Sequence, residues 1–443
     1  MTTSKVVDAS PAPKESVTES RAKAWGVTGL LMLLYTVNWA DKAVYGLVAQ
    51  PLADELGLSA SQIGFISSAF FVTFTLGNLI AGLLNKWMAL KWSLVILSIG
   101  WSVAMLPVVA SATFTVLLLS RMMLGFLEGP TSPIVHTALY SWHPREKRGL
   151  PSACITACAS IAKIAIAPAL ALVIASHGWR TGFVALAVVG LAWLVLWLPT
   201  WRPGPYGDEP AGQKATDAAP AEPAVPWARI LLSRTFVGGA LGGMTMYALV
   251  TAVLTWLPSY FELGLGYTRV EAGAMFGFPS IAGIVIMFLL SWTSDRMIAR
   301  GVSSRKLRGV LPAAGLLVCG AATAVLPMIG APALAVAVVS IGYAFGASGF
   351  PLLNAAVSEI VPPRQLAGTL GIFLALQSLG GVYGPFLTGW IVDRAATPAV
   401  GYAQAFQVLG VMVLVGGLAA LLWVNPERDK ARLRGIGVPA GSA

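Results

Sequence analysis

Charge is what this chain has least of. Asp, Glu, Lys and Arg together make up 11% of its 443 residues, against about a quarter in an ordinary soluble domain. So few charges cannot wet the surface of a soluble protein this long, and most of that surface must face lipid. Histidine and cysteine are rarer still in number, with three of each. His136, His143 and His177 are scattered and show no ligand spacing. Cys154, Cys158 and Cys319 are odd in number and sit in apolar runs, so they read as small packing residues, not as a disulfide or metal framework. There is no GxxxxGK[ST] phosphate loop and no HExxH pair, which leaves ATP-driven transport and an intramembrane metalloenzyme without support. The expectation is a non-enzyme that needs no cofactor beyond an ion gradient.

What the chain has is apolar length, with hydrophobic residues at 56%. A bilayer core of about 30 Å takes about 20 helical residues to cross. Twelve crossings are expected, over 24–48, 61–84, 92–111, 114–136, 152–175, 181–199, 233–257, 268–291, 308–328, 331–353, 365–390 and 403–424. The uncharged stretch from Gly309 to Ser358 is too long for one crossing, and Pro327, Gly330 and Pro332 mark its turn. Residues 1–23 are polar, lack the three regions of a secretory signal, and are expected to form a disordered cytoplasmic tail. A Pro- and Ala-rich cytoplasmic loop, 200–232, divides a first six-helix bundle (24–199) from a second (233–424), and 425–443 form a second tail.

The net charge of +10 is distributed as membrane topology requires, not as nucleic-acid binding would need. With the N-terminus inside, 23 Lys and Arg fall on cytoplasmic segments and three on outer loops: Arg180, Arg269 and Arg394. Both termini are therefore expected in the cytoplasm. Each half also repeats a basic inner loop after its second helix, as two parallel six-helix repeats would.

Five ionisable residues fall inside the expected crossings: Asp41, Lys42, Arg121, Glu128 and Lys163. Each costs at least about 2.5–3.5 kcal/mol if left in lipid, so each should face a cavity or a partner. A rise of about 1.5 Å per residue puts Asp41 and Arg121 at similar depth, where they can meet. Glu128 lies seven residues beyond Arg121 on the same face of its helix, and Lys163 falls near mid-membrane. Arg121 offers a planar fork suited to a carboxylate. Asp41 and Glu128 are the two acids available for proton coupling. Asp41–Arg121 also admits a purely structural reading, as a permanent ion pair, and Lys163 is a candidate for binding the substrate directly that also admits snorkelling or pairing with Glu128. The second half has no charge in the interior of its crossings but carries Tyr247 and Gln377, candidates for orienting the neutral part of a substrate, alongside Thr251, Trp256, Tyr343, Asn354 and Tyr383.

Several motifs then converge. The run Arg121, Gly125, Glu128, Pro130, Pro133 fits R-x-x-x-G-x-x-E-x-P-x-x-P. It is followed by Trp142, Pro144, Glu146, Arg148 and Gly149, by Gly178-Trp179-Arg180, by Trp256, Pro258 and Tyr260, by Ser294-Asp295-Arg296, and by Gly380, Gly381, Gly384 and Pro385. In this order they resemble the anion:cation symporter branch of the major facilitator superfamily, across nearly all crossings. The resemblance implies an all-α membrane protein with the twelve-helix major facilitator fold, carrying out proton- or sodium-driven uptake of carboxylates by alternating access. It places Asp41 and Glu128 at coupling positions, Lys42 and Arg121 at anion-binding positions, and Asp295 and Arg296 at the cytoplasmic gate.

Four positions depart from the branch. Lys42 stands for its Arg, Phe74 for a Tyr, Gln377 for an Asn, and Lys86 for the gating Asp. Loss of the hydroxyl at Phe74 points away from a polyhydroxylated sugar acid and towards a carboxylate with an apolar or aromatic body. The expected protein is thus a multi-pass carrier of the cell membrane, monomeric, partnered by a small organic anion and the bilayer, and binding no nucleic acid. A proton-coupled exporter of drugs or metabolites, or a sugar-acid importer, are the alternatives.

Overall fold

A computed structural model describes residues 17–144, 148–206, 225–362 and 365–434. Those residues form helices and no strand. In chain order the crossings are α1 (Val17–Leu56), α2 (Ala60–Trp87), α3 (Leu90–Ala110) and α4, which is Phe114–Glu128 continued by Thr131–Trp142. Then follow α5 (Leu150–His177), α6 (Trp179–Thr200), α7 (Arg234–Gly264), α8 (Arg269–Ala299), α9 (Arg305–Ala324), α10 (Pro332–Ile360), α11 (Gly368–Arg394) and α12 (Pro398–Trp423).

Ten of these are long and apolar enough to cross a membrane by length and composition alone, and α1 and α4 are the two that are not. The reason is chemical. These two helices carry four of the five interior charges, and α4 is divided at Gly129-Pro130. Their polar side chains are buried inside the bundle, so neighbouring helices, not lipid, carry the cost of desolvation.

The halves meet along three helix pairs: α1 with α7, α2 with α11 and α5 with α8. Two glycines set how closely. A Cβ on Gly46 would lie 2.2 Å from the Leu254 carbonyl oxygen, and one on Gly64 would lie 2.4 Å from that of Pro385. Only a residue without a side chain lets the backbones approach so far. Polar contacts reinforce the junction. Asp393 accepts hydrogen bonds from the Ala60 and Ser61 amides (2.8 and 2.7 Å), capping the start of α2 from α11. Gln50 donates to the Tyr402 hydroxyl at 3.0 Å, Ser67 and Thr255 share a 2.7 Å bond, and Arg269 lies 3.8 Å from Asp54. In the orientation set by the charge census these contacts belong to the outer half of the membrane. One further link, Thr75 with Ser378 at 3.3 Å, lies near the midplane. The bundle is therefore closed on its outer side.

Three segments expected outside the crossings carry helix. Residues 17–23, assigned to the tail, are the first turns of α1, which the run Arg21-Ala22-Lys23-Ala24 favours as good helix formers. Residues 1–16 lie outside the described part. The central loop contains a short helix, Trp227–Leu231, whose Ile230 is fully buried; residues 207–224 are outside the description. The C-terminal segment opens with the helix Pro426–Arg434, anchored where Asp429 accepts a 2.7 Å bond from the Thr235 amide at the start of α7. A carboxylate at a helix N-terminus satisfies an otherwise orphaned donor, which is why the segment folds back.

Candidate functional site

Four of the five interior charges form one cluster between α1 and α4. Lys42 ion-pairs with Glu128, and the two side chains are 4% and 0% exposed. The same ammonium donates to Asn38 Oδ1 at 2.8 Å and to the Asn38 carbonyl, one turn back, at 3.1 Å. It also lies over the rings of Phe74 (5.2 Å), Trp39 (5.3 Å) and Phe70 (5.9 Å). Carboxylate, amide and ring faces together replace the water the ammonium has lost.

Arg121 is solvated differently. Its guanidinium carbon sits 4.3 Å from the Tyr45 ring centroid and 4.5 Å from that of Phe70, between the two. The expected side-chain meeting with Asp41 is corrected: Arg121 donates at 3.3 Å to the backbone carbonyl of Asp41 instead. Depth along two helices fixes one coordinate only, and rotation about the axes turns the carboxylate aside. No carboxylate among the described residues lies within ion-pairing distance of Arg121, and its Nε is buried without a partner. The Asp41 carboxylate, 8% exposed, likewise makes no hydrogen bond among the described residues. Glu128 Oε1 is buried without a partner as well. Arg121 thus keeps a donor, and Asp41 a carboxylate, without a hydrogen-bond partner among the described residues.

Helix α2 supplies the wall. Phe70 and Phe74 stack at 5.9 Å, Phe71 meets Phe70 edge-on at 5.1 Å, and Phe71 meets Tyr247 of α7 edge-on at 6.3 Å. Tyr247 also abuts Phe350 of α10 at 6.4 Å. The sequence singled out Phe74, but Phe70 and Phe71 also form this wall. Their signal was the F-F-x-x-F spacing, which puts three rings on adjoining helix faces.

The other candidates lie apart from the cluster. Lys163, on α5, faces the Tyr343 ring at 5.7 Å. Gln377, 2% exposed, packs on the bare face of Gly243, and its Nε2 has no partner. At the inner end of the second half, Arg296 lies over the Trp292 ring at 5.2 Å. The side chains of Asp295 and Lys86 are outside the described set. An inner-end cluster that sequence reasoning missed joins three elements there: Glu359 of α10 ion-pairs with Arg308 and accepts from the Ser304 hydroxyl at 2.7 Å, while the Ser304 amide donates to Glu427. Glu359 follows a long apolar run, and nothing in its spacing betrays a partner 51 residues away.

The pattern of the Major Facilitator Superfamily matches residues 31–347 and 311–440, nearly the whole chain. The chain belongs to this superfamily. As a member it is a multi-pass membrane transporter and not an enzyme. Similar curated proteins include the probable sulfoacetate transporter SauU of Cupriavidus necator, 27% identical over 90% of this chain and 93% of its own. The hexuronate transporter of Bacillus subtilis is 25% identical, with 93% and 95% covered. Among solved structures, a bacterial homologue of the human lysosomal transporter Spinster, inward-facing and unoccupied, aligns with a TM-score of 0.78 at 20% identity, covering 94% of this chain and 99% of that one. That likeness supports the twelve-helix fold. The resemblance to the anion:cation symporter branch read from the motifs agrees with the acid transporters among the relatives.

Proposed function

We propose that this chain is a secondary active transporter of the cell membrane that takes up a small organic carboxylate together with protons. The observation that carries the reading is Arg121: a buried guanidinium held between two rings, with donors to spare and no carboxylate partner among the described residues. A substrate carboxylate completes it, and the ring sandwich keeps the fork oriented for bidentate binding.

Asp41 and Glu128 are the proton carriers in this scheme. Protonating Glu128 removes the counter-ion of Lys42 and frees that ammonium for the incoming anion. Protonating Asp41 raises the net positive charge beside Arg121. Anion binding and protonation then favour each other, which is the linkage symport requires. Phe74 and its neighbouring rings present an apolar wall to the body of the substrate, while Tyr247 and Gln377 orient its neutral part. Asp295 and Arg296 act at the cytoplasmic gate. The relatives named for sulfoacetate and hexuronate support an acidic cargo.

A thermal-shift screen of the purified protein against organic carboxylates tests the binding half of this reading. A true substrate raises the unfolding midpoint in wild type, because it binds the native state, and does not do so in Arg121→Ala. Loss of growth on one carboxylate in a deletion strain, with drug sensitivity unchanged, separates uptake from the exporter reading. The reverse pattern favours export.

A further inference from the structure

The inner end of the second half holds a cavity that shares no residue with the charge cluster of α1 and α4. It has a volume of about 580 Å³ and lies between the short helix Trp227–Leu231, the start of α7 and the C-terminal helix Pro426–Arg434. Each of these elements contributes an arginine: Arg229, Arg234 and Arg432. All three are exposed, and none makes a side-chain hydrogen bond, ion pair or ring contact among the described residues. The one acid in the lining, Asp429, is buried and already committed. It accepts from the Thr235 amide at 2.7 Å and pairs with Arg428 at 2.9 Å. The cavity therefore keeps three unmatched positive charges. Like charges around one cavity repel, and an anion seated among them relieves that repulsion.

The elements that present these arginines are fixed. Gln365, just ahead of α11, engages both backbone groups of Val225: its Oε1 accepts from the amide at 2.9 Å and its Nε2 donates to the carbonyl at 2.8 Å. Ile230 is fully buried, which pins the short helix, and a Cβ on Gly368 of α11 would fall 2.8 Å from the Trp227 ring. The C-terminal helix is held by Asp429 and by Glu427, which accepts from the Ser304 amide. Cations carried on elements anchored in this way form a pre-organised site, so little ordering remains to be done when an anion arrives.

Position names the ligand. Arg234 opens α7, so the cavity sits where that helix enters the inner face of the bilayer in the orientation set by the charge census. Its lining runs out to Leu232, which is 77% exposed, and Trp227 at the head of the short helix is 45% exposed. An open leucine beside arginines suits an occupant with a charged head and an apolar tail, and a soluble anion has no use for it. Guanidinium forks match phosphate oxygens two at a time, and basic pockets on the cytoplasmic side take lipid headgroups.

We propose that this cavity binds the headgroup of an anionic phospholipid of the inner leaflet, with its phosphate among Arg229, Arg234 and Arg432 and its acyl chains passing Leu232 into the bilayer. The bound lipid ties the end of the central loop, α7 and the C-terminal helix together at the inner face of the second half.

The test uses the purified full-length protein in a neutral detergent, titrated with phosphatidylglycerol, phosphatidylcholine or glycerol 3-phosphate. Bound lipid is counted by native mass spectrometry, and stability is read by thermal shift. In wild type phosphatidylglycerol binds tenfold or more tighter than phosphatidylcholine and raises the unfolding midpoint, and glycerol 3-phosphate at the same concentration leaves the midpoint where it was. In Arg229→Gln/Arg234→Gln/Arg432→Gln the ratio of the two lipid affinities falls towards one. The single variant Arg432→Gln, an exposed change on the terminal helix, gives an intermediate ratio and carries the test if the triple variant folds poorly. A control triple, Arg202→Gln/Arg300→Gln/Lys306→Gln, removes as many exposed inner-face charges elsewhere and keeps the wild-type ratio. Equal loss in the two triples means that the lipid answers only to the overall charge of the inner face, and overturns the proposal. So does a wild-type ratio near one. Glycerol 3-phosphate that displaces phosphatidylglycerol at equal concentration marks a site for a soluble anion, and overturns it too.

Discussion

Removing Glu128 and removing Lys42 should destabilise this protein unequally, although they are two halves of one ion pair. Both side chains are out of water, where breaking a pair by deleting one partner costs about 3–5 kcal/mol. In Glu128→Gln the stranded ammonium keeps both Asn38 oxygens and the rings of Trp39, Phe70 and Phe74, so the loss falls near the lower figure. In Lys42→Met the stranded carboxylate keeps little, since Glu128 Oε1 already lacks a partner, and the loss approaches the upper one. Each six-helix half is of a size at which 1 kcal/mol moves a midpoint about 2–4 °C, so Lys42→Met should fall roughly 10 °C or more, and further than Glu128→Gln. The double variant Lys42→Met/Glu128→Gln strands neither member of the pair and should recover most of the loss. Thermal unfolding of the four proteins in detergent, read by intrinsic fluorescence, gives the cycle. If the two single effects simply add in the double variant, to within about 0.5 kcal/mol, the pair is not a coupled unit and the reasoning fails.

Further outcomes follow from other contacts. Phe74→Tyr restores a hydroxyl beside Lys42 and should strengthen competition by sugar acids several-fold in a transport assay; unchanged competition would remove the argument from Phe74. Gly64→Leu cannot coexist with the Pro385 backbone at 2.4 Å, so α2 and α11 must part on the outer side. Spin-label distances across the outer ends should lengthen by several ångströms in this variant, and should stay put if the closure does not depend on the glycine. His143, beyond the inner end of α4, shares a 2.8 Å hydrogen bond with Thr28 of α1, and its pKa is depressed by burial and then by the nearby Arg148 charge. A depressed histidine stays neutral in the folded state while the unfolded chain takes up a proton, so stability is lost as pH falls through the ordinary histidine value of about 6.5. Wild type should therefore lose more thermal stability than His143→Gln between pH 8 and pH 5.5, and parallel losses would rule out this linkage.

The fold was legible because the bilayer imposes two readable constraints, apolar length and the side on which Lys and Arg collect. Both act one segment at a time, and sequence is read one segment at a time. The same logic explains the tails: Asp429 is an exposed-looking acid in a basic segment until α7 folds near enough for it to cap Thr235. At the site, residue types and depths were legible, and pairings were not. Asp41 and Arg121 share a depth, yet the guanidinium finds a carbonyl and two rings; Glu128 and Lys42, with no such coincidence to recommend them, are the actual pair. Azimuth around each helix decided the matter, and it depends on the break at Gly129-Pro130 and on packing against α2. A π-turn at Lys163 follows the same rule, since Pro168 removes a local donor while Gly277, more than a hundred residues away, makes room for the result.

The central claim is that the buried acids couple proton movement to anion uptake. It is tested most directly in proteoliposomes loaded at one pH and diluted into another, with uptake of a labelled carboxylate identified by the binding screen. The account predicts accumulation above equilibrium in wild type only when the outside is the more acidic. In Asp41→Asn and Glu128→Gln it predicts loss of that gradient-driven accumulation. Accumulation that ignores both the pH gradient and sodium, or that persists unchanged in both variants, would contradict it.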